Sequence, residues 1–216
     1  KRIIKSIYAA FPITLNPHTE KTFLFKITSP HNFNSKVYVG DSTTIKEREN
    51  YKLGFLYFYI GGIACLILYN FFIFIFLKDK NYLLYSFFST CFTLTILCIH
   101  GVLDKVFHPN NFTFSHYLIC FSSLALISAT LFTYYFLEIP KFLKSFAKYY
   151  KATLIITTFI FLFGLSPLLD KAPQILGSLI DILILMANLM FIFNSIYLLK
   201  TTSAAKFYFF SWIIYL

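Results

Sequence analysis

The fold of this chain is decided by the stretch Tyr69-Asn-Phe-Phe-Ile-Phe-Ile-Phe-Leu-Lys-Asp-Lys-Asn-Tyr-Leu-Leu-Tyr85. The stretch begins in apolar sequence, is interrupted by the basic turn Lys78-Asp79-Lys80, and returns at once to apolar sequence. A turn this short joins two neighbouring antiparallel helices. Apolar runs on both sides of such a turn are typical of segments that cross a lipid bilayer. The stretch therefore predicts a transmembrane helical hairpin.

The composition of the whole chain agrees with a membrane protein. Of 216 residues, 58% are hydrophobic and only 13% are charged, whereas a soluble domain of this size would expose more charge. The net charge of +10 is not gathered on a continuous basic face, so no nucleic-acid partner is predicted. There is no phosphate-binding glycine loop, HExxH or GxSxG motif, and all four cysteines lie in apolar segments. We predict no catalytic site, no cofactor and no metal site in these residues.

Apolar segments of membrane-spanning length follow one another from Gly54 onward. Lipid offers no partner to open backbone groups, so these segments are expected to be helices. We predict helices at residues 54–77, 83–103, 117–137, 152–169, 174–199 and 205–216, the last one truncated. The predicted fold of residues 54–216 is a mainly α, polytopic transmembrane helix bundle.

The first 53 residues are more polar and contain strand-like runs at residues 7–15, 22–28 and 35–40, each bounded by turn-forming residues. Three short strands cannot close a stable sandwich alone. We therefore predict that residues 1–43 are the C-terminal strands of a larger β-sandwich. Residues 44–53 are predicted to be a connecting helix, because Thr44 and Glu47 have capping-box spacing. The chain begins with Lys1-Arg2 and ends inside an apolar run, so we expect it to belong to a longer protein.

Lysines in the loops predict the orientation in the membrane. Eight lysines lie in the segments that follow the first, third and fifth predicted spans, and only two lie in the alternate loops. The eight are Lys78, Lys80, Lys141, Lys144, Lys148, Lys151, Lys200 and Lys206, and the two are Lys105 and Lys171. Because positively charged loops stay in the cytoplasm, the N-terminal region is predicted to lie outside it.

The segment 138–151 has apolar residues on one helical face and lysines on the other. We expect it to lie flat at the inner leaflet, with its lysines close to anionic lipid headgroups. Those lysines are Lys141, Lys144, Lys148 and Lys151. The alternative is an ordinary basic loop with helical character.

Three polar residues inside apolar spans are candidates for contacts between helices. Asp181 is an acid well inside the fifth span and shares a stripe with Gly177 and Asn188, while Asn70 lies in the first span. An ionised carboxylate in a span is costly, so we expect Asp181 to face the bundle interior, to be paired or to be protonated. Each residue is either a switching contact or a polar packing residue that is satisfied by a neighbouring helix.

Three stretches of the chain resemble parts of one protein family. They are Phe11-Pro-Ile-Thr-Leu-Asn-Pro-His-Thr-Glu-Lys-Thr-Phe-Leu-Phe-Lys-Ile-Thr-Ser29, the hairpin Tyr69 to Tyr85, and Lys206-Phe-Tyr-Phe-Phe-Ser-Trp212. Together they resemble the bacterial seven-transmembrane receptors with diverse intracellular signalling modules. In that family an extracytoplasmic jelly-roll domain precedes seven helices, and a cytoplasmic output domain follows them.

The resemblance implies a sensory receptor of the bacterial cytoplasmic membrane. It implies a small extracytoplasmic ligand such as a carbohydrate, a seventh helix after residue 216, and an output domain such as a histidine kinase or a diguanylate cyclase. Two other functions stay open: a transporter or channel subunit, and a non-catalytic accessory membrane protein. The oligomeric state is open as well, with a homodimer as one alternative.

Overall fold

The computed structural model describes residues 13, 20, 22–24, 39–100, 102–103, 114–166 and 173–215. This part of the chain is mainly helical and contains no strand. Residues 22–24 and 39–40, which belong to two of the predicted strands, are not in a strand. Most of the predicted β-sandwich lies outside the described residues, and it stays a prediction.

The described residues form seven α-helices of very different lengths. They are α1 (Ser42–Leu77), α2 (Lys80–Ile99), α3 (Phe114–Phe136), α4 (Ile139–Phe142), α5 (Lys144–Gly164), α6 (Pro173–Leu198) and α7 (Ser203–Tyr215). Five of these, α1, α2, α3, α5 and α6, contain segments that are long and apolar enough to cross a membrane. The chain is therefore a helical membrane protein with several spans.

Helix α1 is a single helix of 36 residues, so the residues predicted as a connecting helix continue without a break into the first span. Asp41 begins the helix as its N-cap: its carboxylate accepts hydrogen bonds from the Thr43 hydroxyl and from the Thr44 backbone N–H. These hydrogen bonds lower the pKa of the Asp41 carboxyl. At 1.5 Å per residue the helix is about 54 Å long, and its first turns therefore extend beyond a bilayer core of about 30 Å.

The hairpin of residues 69–85 is closed by two capping residues. Lys78 ends α1 in the left-handed conformation (φ 56°), and its N–H donates to the Phe74 carbonyl at 2.8 Å. Asp79 then caps α2, because its carboxylate accepts from the Asn81 N–H at 2.9 Å. One residue thus ends the first helix and the next one begins the second, which makes the turn tight.

Helix α3 lies at the centre of the bundle and packs against α2, α5 and α6. Buried apolar residues of α3, α5, α6 and α7 form one continuous core, which includes Ile119, Leu126, Tyr150, Phe191 and Tyr208. Helix α1 packs against α2, and its buried apolar residues, Leu53 and Leu56, pack with Val102 in a separate cluster. The core of the bundle therefore lies around α3.

The segment 138–151 differs from the flat helix that its amphipathic pattern predicts. Only Ile139–Phe142 forms a separate short helix, because Glu138 (φ 48°, ψ 42°) and Leu143 (φ −134°, ψ 55°) leave the helical conformation. From Lys144 onward the chain is one continuous helix, α5, which runs into the apolar span. With no proline or glycine between Lys144 and Phe163, nothing interrupts the helix where the lysines end.

Candidate functional site

A buried polar cluster, made of Thr133, Tyr150, Asn194 and Tyr208, connects four helices of the bundle. The residues come from α3, α5, α6 and α7 respectively, and each is at most 3% exposed. Polar side chains so deep in an apolar bundle need partners on neighbouring helices. The contacts within the cluster therefore couple the positions of these four helices.

The contact between α5 and α6 is a hydrogen bond between two buried side chains. The Asn194 Nδ2 group donates to the Tyr150 hydroxyl oxygen at 3.0 Å. The other amide atom, Asn194 Oδ1, is buried and has no hydrogen-bond partner in the described part of the chain. A half-satisfied buried amide costs on the order of 1–3 kcal/mol, so this arrangement is held by the packing around it and is sensitive to small movements of α6.

The contact between α3 and α7 is also a hydrogen bond between side chains. The Thr133 and Tyr208 hydroxyl oxygens lie 2.5 Å apart, and the Thr133 hydroxyl is also within bonding distance of the Ala129 carbonyl. The Tyr208 ring packs against Phe132 and Phe136 with centroids 6.1 and 6.0 Å away. The hydrogen bond to Thr133 fixes the orientation of the Tyr208 ring, and the packed rings keep lipid away from the two hydroxyl groups.

Aromatic contacts connect both halves of the buried polar cluster to α3. The Tyr150 ring lies 5.8 Å from Tyr134 of α3 and 5.9 Å from Phe191 of α6, centroid to centroid. Phe132 extends the contacts to α2 through Tyr85 at 5.8 Å. A displacement of any one of these helices therefore changes ring packing on the others.

All four cluster residues lie near the end of the bundle that carries the lysine-rich loops. Thr133 is in the last turn of α3, Asn194 is four residues before the end of α6, and Tyr150 and Tyr208 follow the starts of α5 and α7 by six and five residues. At 1.5 Å per residue, each lies within roughly 10 Å of its helix end. The bundle is thus tied together at this one end by polar contacts.

The stripe that contains Asp181 and Asn188 lies on a different side of α6. The buried face of α6 carries Ile180, Ala187, Phe191, Asn194 and Leu198. Asp181 is exposed and Asn188 is half-buried, so neither belongs to that face. Their role as interhelical contacts stays a prediction, and the structure does not bring either of them to the buried polar cluster.

Asn70 makes a hydrogen bond within its own helix. Its Nδ2 group donates to the Leu66 carbonyl of α1 at 2.9 Å. The small residues nearby are open too, since a Cβ added at Gly61 or Gly62 would meet nothing within 4 Å. The predicted switching role of Asn70 stays a prediction.

The four lysines predicted to contact lipid are all exposed, but they have different neighbours. Lys141 forms an ion pair with Glu138 (Nζ to Oε2, 2.9 Å) and lies over the Phe142 ring at 4.9 Å. Lys144, Lys148 and Lys151 have no ion pair within the described residues. No three His, Cys, Asp or Glu side chains of the described part come together in a way that could hold a metal ion.

Comparison with known families adds the decisive observation. A model of the 7TM diverse intracellular signalling family matches residues 52–216, which include α1 from Lys52 onward and all the later helices. The chain belongs to this family. A search of curated proteins and a search of solved structures find no match.

The sequence patterns of this member of the 7TM diverse intracellular signalling family did not reveal the buried polar cluster. Asn194 carries the same signal as Asn70 and Asn188, an amide inside an apolar span, but it does not share the stripe that pointed to Asp181. Its closeness to the lysine-rich end is the additional signal that could have distinguished it. Thr133 and Tyr208 carry no such signal, because threonine and tyrosine are common throughout these helices.

Proposed function

We propose that this member of the 7TM diverse intracellular signalling family is a sensory transducer of the bacterial cytoplasmic membrane. A small ligand, such as a carbohydrate, binds the extracytoplasmic domain whose end is residues 1–43. Binding changes the packing of the helix bundle, and a cytoplasmic kinase or cyclase domain responds to the change. The lysine-rich loops support this orientation, because eight of their lysines would lie in the cytoplasm.

The observation that carries the proposal is the buried polar cluster at the lysine-rich end. A transducer needs a bundle with two arrangements of similar free energy, which the ligand binds with different affinity. The half-satisfied Asn194 amide supplies a contact that can be exchanged at low cost, since its Oδ1 atom has no partner among the described residues and would be stabilised by one in a second arrangement. The contact lies where the signal would leave the membrane, near the starts of α5 and α7.

The experiment uses the full-length protein. A library of mono- and oligosaccharides is tested for binding by thermal shift, and a binder is then added while autophosphorylation or cyclic-dinucleotide synthesis is measured. We expect the binder to change the output. In Asn194→Leu we expect an altered output already without the binder, because the variant removes the hydrogen bond between α5 and α6 and so shifts the equilibrium between the two arrangements. A binder that leaves the output unchanged in the wild type contradicts the proposal.

A second measurement with the same binder distinguishes a transporter from a transducer. A transporter usually has discontinuous helices and several charges within its spans. Among the described residues Asp181 is the one acid deep within a span, and α1, α2, α3, α5 and α6 run without interruption. Uptake of the binder into proteoliposomes supports transport, whereas binding without uptake supports the transducer.

A further inference from the structure

One face of α5 carries three lysines that the described part of the chain does not neutralise. Lys144, Lys148 and Lys151 are spaced i, i+4 and i+7, which places them within about 60° of one another around the helix. We call these three residues the lysine face. All three are exposed, and the nearest acid in the sequence, Glu138, is already paired with Lys141 at 2.9 Å.

The position of the lysine face on α5 is electrostatically unfavourable for the chain alone. The three lysines occupy the first eight residues of the helix, at the positive end of its dipole, and the first turn holds no acidic residue. Lysines at i and i+4 also repel each other. Such an arrangement is stabilised by an anion, and the described residues do not provide one.

The depth of the lysine face indicates which anion this is. The part of α5 after Lys151, residues 152–164, has 13 residues, so it spans about 20 Å of a hydrocarbon core that is roughly 30 Å thick. Lys151 and Lys148 therefore begin inside the edge of the hydrocarbon core, and their long flexible side chains extend outward to the lipid phosphates. A free phosphate ion would not concentrate at this depth.

The surface of α5 next to the lysine face is apolar. A shallow, open depression between side chains of this one helix is lined by Leu154, Ile155, Thr158, Phe159 and Leu162. Ile155 and Leu162 lie within about 20° of the lysine face around the helix, and they are 58% and 55% exposed. A cationic patch directly above an exposed apolar depression matches a phospholipid, whose charged headgroup lies directly above its acyl chains.

We propose that the lysine face and this depression together bind an anionic phospholipid from the leaflet on the lysine-rich side. Such a site would also act on the bundle, because Tyr150 of the buried polar cluster lies on the opposite side of the same two turns of α5. A bound headgroup would hold these turns at a fixed depth and so favour the arrangement in which Tyr150 meets Asn194.

The test measures lipid binding to the purified full-length protein by native mass spectrometry, with phosphatidylglycerol and phosphatidylcholine as probes. We expect the wild type to prefer phosphatidylglycerol by tenfold or more, since each lysine near an anionic surface contributes about a fivefold gain in affinity. The variant Lys144→Gln/Lys148→Gln/Lys151→Gln should lose this preference. The matched control Lys78→Gln/Lys80→Gln/Lys206→Gln removes the same charge from the same side of the bundle and should keep it.

Further variants separate the site from general charge effects. Phe159→Ala/Leu162→Ala should weaken binding of both lipids and leave their ratio unchanged. If the glutamine variant does not fold, the same three positions as arginine should keep the preference, and 1 M salt should weaken it in the wild type. Equal losses in the two lysine variants, no preference in the wild type, or displacement of the lipid by millimolar inorganic phosphate would each overturn the proposal.

Discussion

The hydrogen bond between Asn194 and Tyr150 gives the sharpest test of how the bundle is held together. Tyr150→Phe removes one neutral hydrogen bond and leaves the buried amide with both ends unpaired, because Asn194 Oδ1 already lacks a partner. Hydrogen bonds between membrane helices contribute about 0.6 kcal/mol on average, and an unpaired buried amide costs about 1–3 kcal/mol. We expect Tyr150→Phe to lower the free energy of unfolding by about 1–2 kcal/mol.

The coupling between the two residues is measured with a double-mutant cycle. Asn194→Leu fills a similar volume but leaves the Tyr150 hydroxyl unpaired, so we expect a loss of about 1–2 kcal/mol here too. The double variant contains neither group, and its loss should be smaller than the sum of the two by about 0.5–1.5 kcal/mol. The free energies are obtained from SDS unfolding of the protein in bicelles, monitored by circular dichroism.

Asn70→Leu is the matched control for this cycle, since the Asn70 amide bonds only within its own helix. Combined with Tyr150→Phe it should be additive to within about 0.3–0.5 kcal/mol. A coupling energy near zero for Asn194 and Tyr150 would show that their hydrogen bond does not hold α5 and α6 together. A coupling energy between Asn70 and Tyr150 as large as that between Asn194 and Tyr150 would lead to the same conclusion.

Three further predictions concern other parts of the chain. Gly164→Leu should destabilise the bundle by about 1–3 kcal/mol, because a Cβ at this position would lie 3.1 Å from Cys120 Sγ. The control is Gly62→Leu, where an added Cβ would meet no atom within 4 Å. It should change the free energy of unfolding by at most about 0.5 kcal/mol in the same assay. The pKa of Asp41 is lowered in the folded helix, so its contribution to stability is complete above the ordinary carboxyl pKa of about 3.9 and is lost as the pH falls below it. The hydrogen-exchange protection of the first amides of α1, relative to their intrinsic exchange rates, should therefore fall below about pH 4 in the wild type and stay constant in Asp41→Asn, which still caps the helix. Asp181→Leu should change the free energy of unfolding by at most about 0.5 kcal/mol, because the Asp181 side chain is exposed in the bundle. A clear loss of stability would instead show that Asp181 has a structural partner.

The hairpin of residues 69–85 could be predicted because everything that determines it is local. A basic turn between two apolar runs, with Asp79 placed to cap the second helix, is present in the sequence itself. Membership of the 7TM diverse intracellular signalling family was evident for the same reason, since its motifs are continuous stretches. The break at Leu143 was missed, because the helical pattern of residues 138–151 continues through it and only the backbone angles reveal the interruption.

The buried polar cluster could not be predicted because it depends on which helix faces meet. Asp181 was predicted as an interhelical contact because it is an acidic residue within a span. It lies outside the buried face of α6, which contains Asn194. That face is chosen by contacts with α3, α5 and α7, and none of these contacts is local in sequence. Thr133 and Tyr208 are 75 residues apart, and only the packed bundle brings their hydroxyl groups together.

A distance measurement at the lysine-rich end tests the central claim, signal transmission through the bundle, most directly. Spin labels at exposed Ser145 of α5 and Ser203 of α7, in full-length protein with exposed Cys65 changed to serine, report the separation of the two helix starts. We expect a saturating binder of the extracytoplasmic domain to shift this distance by about 1–2 Å or more, as in other switching bundles. We also expect Asn194→Leu to alter the distance distribution without binder. An unchanged distribution in both experiments would show that the bundle does not transmit a signal to these helix starts.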